Sequence, residues 1–258
     1  MSTFVLTACA SSTEEGAVGM GRKQLLLMPA AQIEAESAKS YEQIKAEAKT
    51  KNTLNMNTTQ LHRVRIIADR LIPFTGNFRA DALKWSWEVN VIASKELNAW
   101  CMPGGKMMFY TGIIDQLKLT DSEIAAIMGH EMAHALREHG RERYSQEMAK
   151  QLGASLLVAS GLVEEKYVQL GLVATIFFSL KYGRDQESES DTLGLELMAR
   201  AGYNPEAAVT LWKKMAAATG GSKMPQWLST HPSGEARIRE ITALLPRVTP
   251  LYQAANKP

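Results

Sequence analysis

The chain has 258 residues, 45% hydrophobic and 22% charged, which is enough apolar material to bury a full core. Its 29 basic residues nearly balance its 27 acidic ones, and no aromatic side chains alternate with basic ones, so there is no electrostatic footprint for nucleic acid. Two cysteines, Cys9 and Cys101, exclude a disulfide framework and a thiolate site, so any metal must be held by nitrogen and oxygen.

Residues 1–20 read as a signal remnant and flexible tether. Leu6-Thr7-Ala8-Cys9 and the polar run that follows it resemble a bacterial lipobox. That resemblance implies lipid attachment at Cys9, a leader upstream of Met1, and a periplasmic protein anchored to a membrane surface. Leu25-Leu26-Leu27-Met28 falls far short of the ~20 residues that span a bilayer and is expected to pack on the core. Residues 31–51, rich in alanine, glutamate and lysine, predict a solvent-facing helix. Residues 60–71 predict a helix with one buried face, because Leu61, Val64, Ile67, Ala68 and Leu71 recur at helical spacing. His62 on that helix is assigned no role.

The period changes between residues 85 and 111. Trp87, Val89 and Val91 alternate with Glu88 and Asn90, and two further apolar runs flank Pro103-Gly104-Gly105, which predicts a small antiparallel sheet. A strand at its rim, near residues 98–110, could bind an extended peptide by strand addition, or the strands could serve only as support. Cys101 is expected to be a small buried residue, since nothing local would activate it.

The most informative stretch lies in a predicted helix over residues 120–146. Thr120-Asp121-Ser122-Glu123 is a capping-box start, and Ile124, Ile127, Met128, Met132 and Leu136 follow at helical spacing. His130 and His134 are four residues apart, hence about 40° apart around the axis, so two imidazoles can grip one metal. Glu131 stands beside them, where a carboxylate can take a proton from water. His139 follows His134 by five residues; peptidases with a third histidine ligand place it at six and need glycine at the third position, where Arg137 stands. His139 is therefore expected outside the ligand set, behind a ligand or at the surface. Residues 152–163 and 168–180, separated by Glu164-Glu165-Lys166, predict a helical hairpin, buried or resting on lipid.

Glu187 and Asp191 share a helix face. A three-ligand metal site lacks one carboxylate at this stage, and this spacing suits Glu187 as the ligand with Asp191 supporting a histidine from outside the ligand set. Glu189 points elsewhere. A solvated acidic helix start is the plainer reading of the same residues. Helices are predicted over 205–218 and 233–245, with His231-Pro232 in the loop between them.

Gly129-His130-Glu131-Met132-Ala133-His134, Arg184-x-x-Glu187-x-Glu189-Ser190-Asp191 and Ser229-Thr230-His231-Pro232-Ser233 resemble metallopeptidase family forty-eight. Gly21-Arg22-Lys23-Gln24-Leu25-Leu26-Leu27 and Asn98-Ala99-Trp100-Cys101-Met102-Pro103-Gly104-Gly105 resemble its Oma-like and periplasmic lipoprotein branch, related to HtpX and the CAAX prenyl proteases. The resemblance implies an α+β gluzincin, mainly helical, with a small antiparallel sheet beside the HExxH helix. It implies one Zn2+ per chain on His130, His134 and Glu187, with Glu131 as general base. The loop of His231 would lie over the site, either as a fourth ligand or as an oxyanion stabiliser. Residues 21–250 would form the catalytic domain and residues 251–258 a tail. The expected function is cell-envelope quality control by a zinc metalloendopeptidase acting on misfolded or membrane-associated proteins. The alternative is a zinc-stabilised, chaperone-like assembly factor with latent peptidase activity.

Overall fold

The computed structural model describes residues 9–19, 21–159, 182–218, 226–231 and 234–258. Two buried helices form its centre: α4 (Asp121–Leu136) and α6 (Arg184–Arg200). The expected capping box closes the start of α4: the Thr120 hydroxyl accepts from the Glu123 amide, and the Glu123 carboxylate accepts from the Thr120 amide. From Glu123 to Leu136 every side chain of α4 is buried, which needs partners on all sides rather than on one stripe. Helix α2 (Thr58–Leu71), helix α7 (Glu206–Ala218) and helix α6 supply those partners, and α9 (Glu235–Ala254) packs against α6 and α7.

The sheet has three strands, β3 (Glu88–Ile92), β4 (Ala99–Met102) and β5 (Lys106–Tyr110), in the order β3-β5-β4. Strands β4 and β5 form the expected antiparallel hairpin, and Gly104 and Gly105 both take φ +77° in its turn. Strand β3, however, runs parallel to β5, so the sheet is mixed rather than antiparallel. Alternating side chains report which face a residue takes and say nothing of strand direction. Direction is set by the link after β3, which crosses the end of β5: Gly112 donates to Ser94 O and Tyr110 to Asn98 O. The chain then returns as β4 on the far side of β5.

Helix α1 (Ala30–Thr50), expected to face solvent, buries a narrow strip of Ile33, Ser37, Tyr41 and Ala48. Tyr41 packs on Met102 and Met108 of the sheet and donates to Met107 O at 2.7 Å. The predicted 120–146 helix is broken. α4 ends at Leu136, Glu138 takes a left-handed φ of 50°, and α5 (His139–Ala159) sets off anew. Most of the expected 152–180 hairpin lies outside the described residues. No helix among the described residues is long and apolar enough to cross a membrane.

From Cys9 onward the N-terminal segment is docked rather than a flexible tether. Strand β1 (Cys9–Ala10) pairs antiparallel with β2 (Gln24–Leu25), Val18 is buried, and the amides of Ala17 and Val18 donate to Glu196 of α6.

Candidate metal centre

Helices α4 and α6 cross at two glycines that flank the site. A Cβ on Gly194 would stand 2.6 Å from the His130 nitrogen, and one on Gly129 2.7 Å from Gly194 O. Only bare backbone permits this approach, and it brings one turn of each helix face to face. His130 and His134 project from α4 and Glu187 from α6, while His231 enters from the end of the short helix α8 (Gln226–Thr230).

Four donor atoms, one from each residue, lie within 4.8 Å of one another, and all four residues are buried. His134 Nε2 is 3.0 Å from His130 Nε2 and 3.3 Å from Glu187 Oε1; His231 Nδ1 is 3.2 Å from His130 Nε2 and 2.8 Å from Glu187 Oε1. A metal with N and O ligands at about 2.0–2.1 Å places tetrahedral donors about 3.3 Å apart, close to these separations. Three imidazoles and one carboxylate, with no thiolate, suit a borderline divalent cation. The residues present therefore fit a metal. Burial pushes His130 and His134 well below the ordinary histidine value, so both are neutral donors. Burial would raise Glu187, but the charges of His231 and Arg237 hold it well below the usual carboxylate range.

The surrounding side chains fix the orientation of these donors. His130 Nδ1 is 3.0 Å from Asp191 Oδ1, as expected for an outer carboxylate that orients a ligand ring. His139, placed by the break at Glu138, lies behind the other ligand, its Nδ1 2.9 Å from His134 Nδ1. In an uninterrupted helix a residue five positions on would point about 140° away. Glu189, which does point away from Glu187, accepts from His139 Nε2 at 2.9 Å.

Glu131 is 2% exposed; Trp227 Nε1 donates to its Oε1 at 2.6 Å, and His231 Nε2 lies 3.4 Å from the same oxygen. Burial pushes this carboxyl up to about 7, against the His231 charge and the Trp227 bond. A small cavity joins Glu131 and His231 to Asn98, Trp100 and Met102 of the β4 rim. Tyr182 stacks on His231, ring centroids 5.0 Å apart, and lies 3.8 Å from the His134 ring.

The structure thus brings His130, Glu131, His134, Glu187, Asp191 and His231 together. Cys9 belongs to the N-terminal strand, and Cys101 is buried in β4 with burial raising its thiol well above the ordinary value. Sequence reasoning missed Arg237, which binds Asp191 through Nε at 2.5 Å, pairs with Glu187 through Nη1, and stacks on Trp212 at 3.6 Å. Its one trace in the sequence is an arginine six residues beyond His231, ahead of the apolar Ile238 and Ile241. Trp227 and Tyr182 left no local pattern.

Comparison with known proteins agrees with this geometry. The chain is similar to the mitochondrial metalloendopeptidase OMA1 of Schizosaccharomyces pombe, 34% identical over 80% of this chain and 59% of the relative. It is 38% identical to the mitochondrial metalloendopeptidase OMA1 of Arabidopsis thaliana over 60% of this chain and 30% of that one. It is 24% identical to the metalloprotease LoiP of Escherichia coli over 92% of this chain and 90% of that protein. The chain spans about half the length of the OMA1 relatives it matches. The expected bacterial periplasmic lipoprotein setting is corrected by these matches, since OMA1 relatives from plant, yeasts and animals are named mitochondrial. The small residues before Cys9 that suggested a lipobox lead into a paired strand. The model of Peptidase family M48 matches residues 58–245, which takes in α2, the sheet, both ligand helices and His231, and the chain belongs to that family.

Proposed function

We propose that the chain is a zinc-dependent metalloendopeptidase whose metal is held by His130, His134 and Glu187. The observation that carries this reading is the convergence of these donors beside a buried carboxylate, Glu131, at the rim of β4. Zinc, when bound, supplies a positive charge that acidifies water to a pKa of about 7 and polarises a carbonyl. Glu131 takes the water's proton and returns it to the departing amine. Trp227 and His231 hold Oε1, which leaves Oε2 for the transfer. Asp191, Arg237 and His139 keep the ligands aligned. An extended segment of unfolded polypeptide, such as a misfolded or membrane-associated protein exposes, pairs with the outer edge of β4 and brings its carbonyl to the site. Glu131→Gln is expected to bind one zinc per chain yet lose casein cleavage by about 10³-fold or more, and Glu187→Ala to lose the zinc. Casein cleavage by Glu131→Gln at the wild-type rate would defeat this assignment.

A second reading has its own observation. His231 Nδ1 already stands among the donors, and the cavity beside Glu131 is about 40 Å³ among the described residues, far below the roughly 300–1,000 Å³ of an open ligand pocket. The resting molecule is then a latent peptidase, released when His231 moves, and a folded zinc-stabilised assembly factor until that happens. His231→Ala separates the two: higher casein cleavage than wild type supports latency, and lower cleavage supports His231 as an oxyanion stabiliser.

A further inference from the structure

The segment of residues 9–27 lies outside the matched family region, yet it is tied to the buried helices by several side-chain hydrogen bonds. Arg22 forks onto two buried carboxylates: Nε and Nη2 donate to Glu189 at 2.9 and 3.1 Å, and Nη1 and Nη2 to Glu142 at 2.5 and 2.8 Å. Fully buried Arg137 binds Glu189 from the other side at 2.9 Å and gathers Ser11, Thr13 and the Arg22 carbonyl. Glu189 is therefore held by two guanidinium groups, with its oxygens fixed in place.

We propose that Arg22 is a positioning residue for the metal centre, acting through Glu189 and His139 on His134. Proton placement along this line follows from acceptor chemistry. Glu189 can only accept, so His139 Nε2 carries the proton of their 2.9 Å bond, and in the neutral ring His139 Nδ1 is then the acceptor. Ser190 Oγ also lies 3.3 Å from that nitrogen. His134 Nδ1 must donate across the 2.9 Å bond to His139, which leaves the His134 Nε2 lone pair facing Glu187 and His130. A tautomer with the proton on Nε2 could not bind a metal there. The docked N-terminal segment thus completes the site, and undocking it loosens the metal. By linkage the metal tightens the docking by the same factor. This rests on His134 being a metal ligand.

The test uses the full chain, with Arg22→Met, His139→Phe and the double variant, zinc affinity measured against a chelator, and ¹⁵N spectra of the histidine rings in the zinc-free protein. Expected are the Nδ1–H tautomer for His134 in the wild type, a zinc affinity about 10–100-fold lower in His139→Phe, and a smaller loss of at least threefold in Arg22→Met. The double variant should be no weaker than His139→Phe, because both changes break one line. Arg22→Met at wild-type affinity with an unchanged His134 tautomer overturns the proposal, and so do losses that multiply. Should Arg22→Met fail to fold, Arg22→Lys, which keeps the charge but cannot fork onto both carboxylates, gives the same readouts. If the wild type binds no zinc, the metal-centre reading fails by itself, and the tautomer of His134 in the zinc-free chain still decides the relay.

Discussion

Alanine at position 194 tests whether the helix crossing sets the metal geometry. The added Cβ would sit 2.6 Å from His130 N, 2.7 Å from Gly129 C and 2.9 Å from Gly129 O, all backbone atoms that cannot rotate away. Ordinary carbon contacts begin at about 3.5 Å, so α4 and α6 must separate or slide by about 1 Å. Overpacking of this kind costs about 1–3 kcal/mol, and alanine's helix preference over glycine returns about 1 kcal/mol. Net stability of the metal-free protein should therefore fall by no more than about 2 kcal/mol. The metal is affected far more, because ligand distances tolerate only about 0.2 Å. His130 and His134 would move with α4 and Glu187 with α6, opening separations that are now 3.3 and 3.6 Å. Urea unfolding of the zinc-free Gly194→Ala protein, set beside its zinc affinity from chelator competition, should show a small stability change and an affinity loss of about tenfold or more. Gly183→Ala, where the nearest atom to a new Cβ is 4.0 Å away, is the control. Wild-type zinc affinity in Gly194→Ala would refute the claim that the two glycines set the site.

Three further outcomes follow from the same contacts. Trp227→Phe keeps the ring packed on Trp212 but deletes the donor to Glu131; since a hydrogen bond to a charged group is worth about 1.5–3 kcal/mol, kcat on a fluorogenic peptide should drop about 10–100-fold with zinc affinity unchanged. Arg237→Met leaves two buried carboxylates without their cation and should destabilise the metal-free protein by about 3–5 kcal/mol in urea, less when zinc is present. Burial would raise the Glu142 carboxyl, but hydrogen bonds from Arg22, Gln186 and Gln24 hold it below the ordinary value. A carboxyl lowered in the folded state stabilises the protein above its unfolded pKa, and this contribution is lost as pH falls through the folded value. The melting temperature should therefore decline below about pH 4, and less steeply in Glu142→Gln.

The features legible in the sequence were those with a local cause. Two histidines four apart on a capped apolar helix announce a metal because helix geometry alone puts both on one side. Glu187 and Asp191 were legible for the same reason, on a second helix. The strip of α1 escaped notice because it includes a serine and only one large aliphatic residue, so composition outweighed period. The direction of β3 escaped because side-chain alternation carries no sign. His139 was legible as a residue outside the ligand set from its spacing and from Arg137, but not which ligand it would meet; the left-handed Glu138 is what makes it a neighbour of His134.

The partners that complete the site are separated from it by long stretches of chain: His231 lies 101 residues from His130 and Arg22 167 from Glu189. No local pattern reports such pairs, yet their existence follows from burial. Glu187, Glu189 and Asp191 alternate along one helix, so they point to two sides of it, and a helix that buries both sides must meet a cation on each, since an unpaired buried carboxylate is prohibitively costly. Arg237 answers on the metal side, and Arg22 and Arg137 answer on the other, where the neutral His139 ring adds a hydrogen bond. The acidic run that a sequence reader would leave in solvent becomes, once α6 is buried, a demand for three guanidinium groups. Two of the three are held on the face away from the metal, and one of them arrives on the N-terminal segment. That is the physical reason a segment beyond the family's matched region is bound into its metal centre.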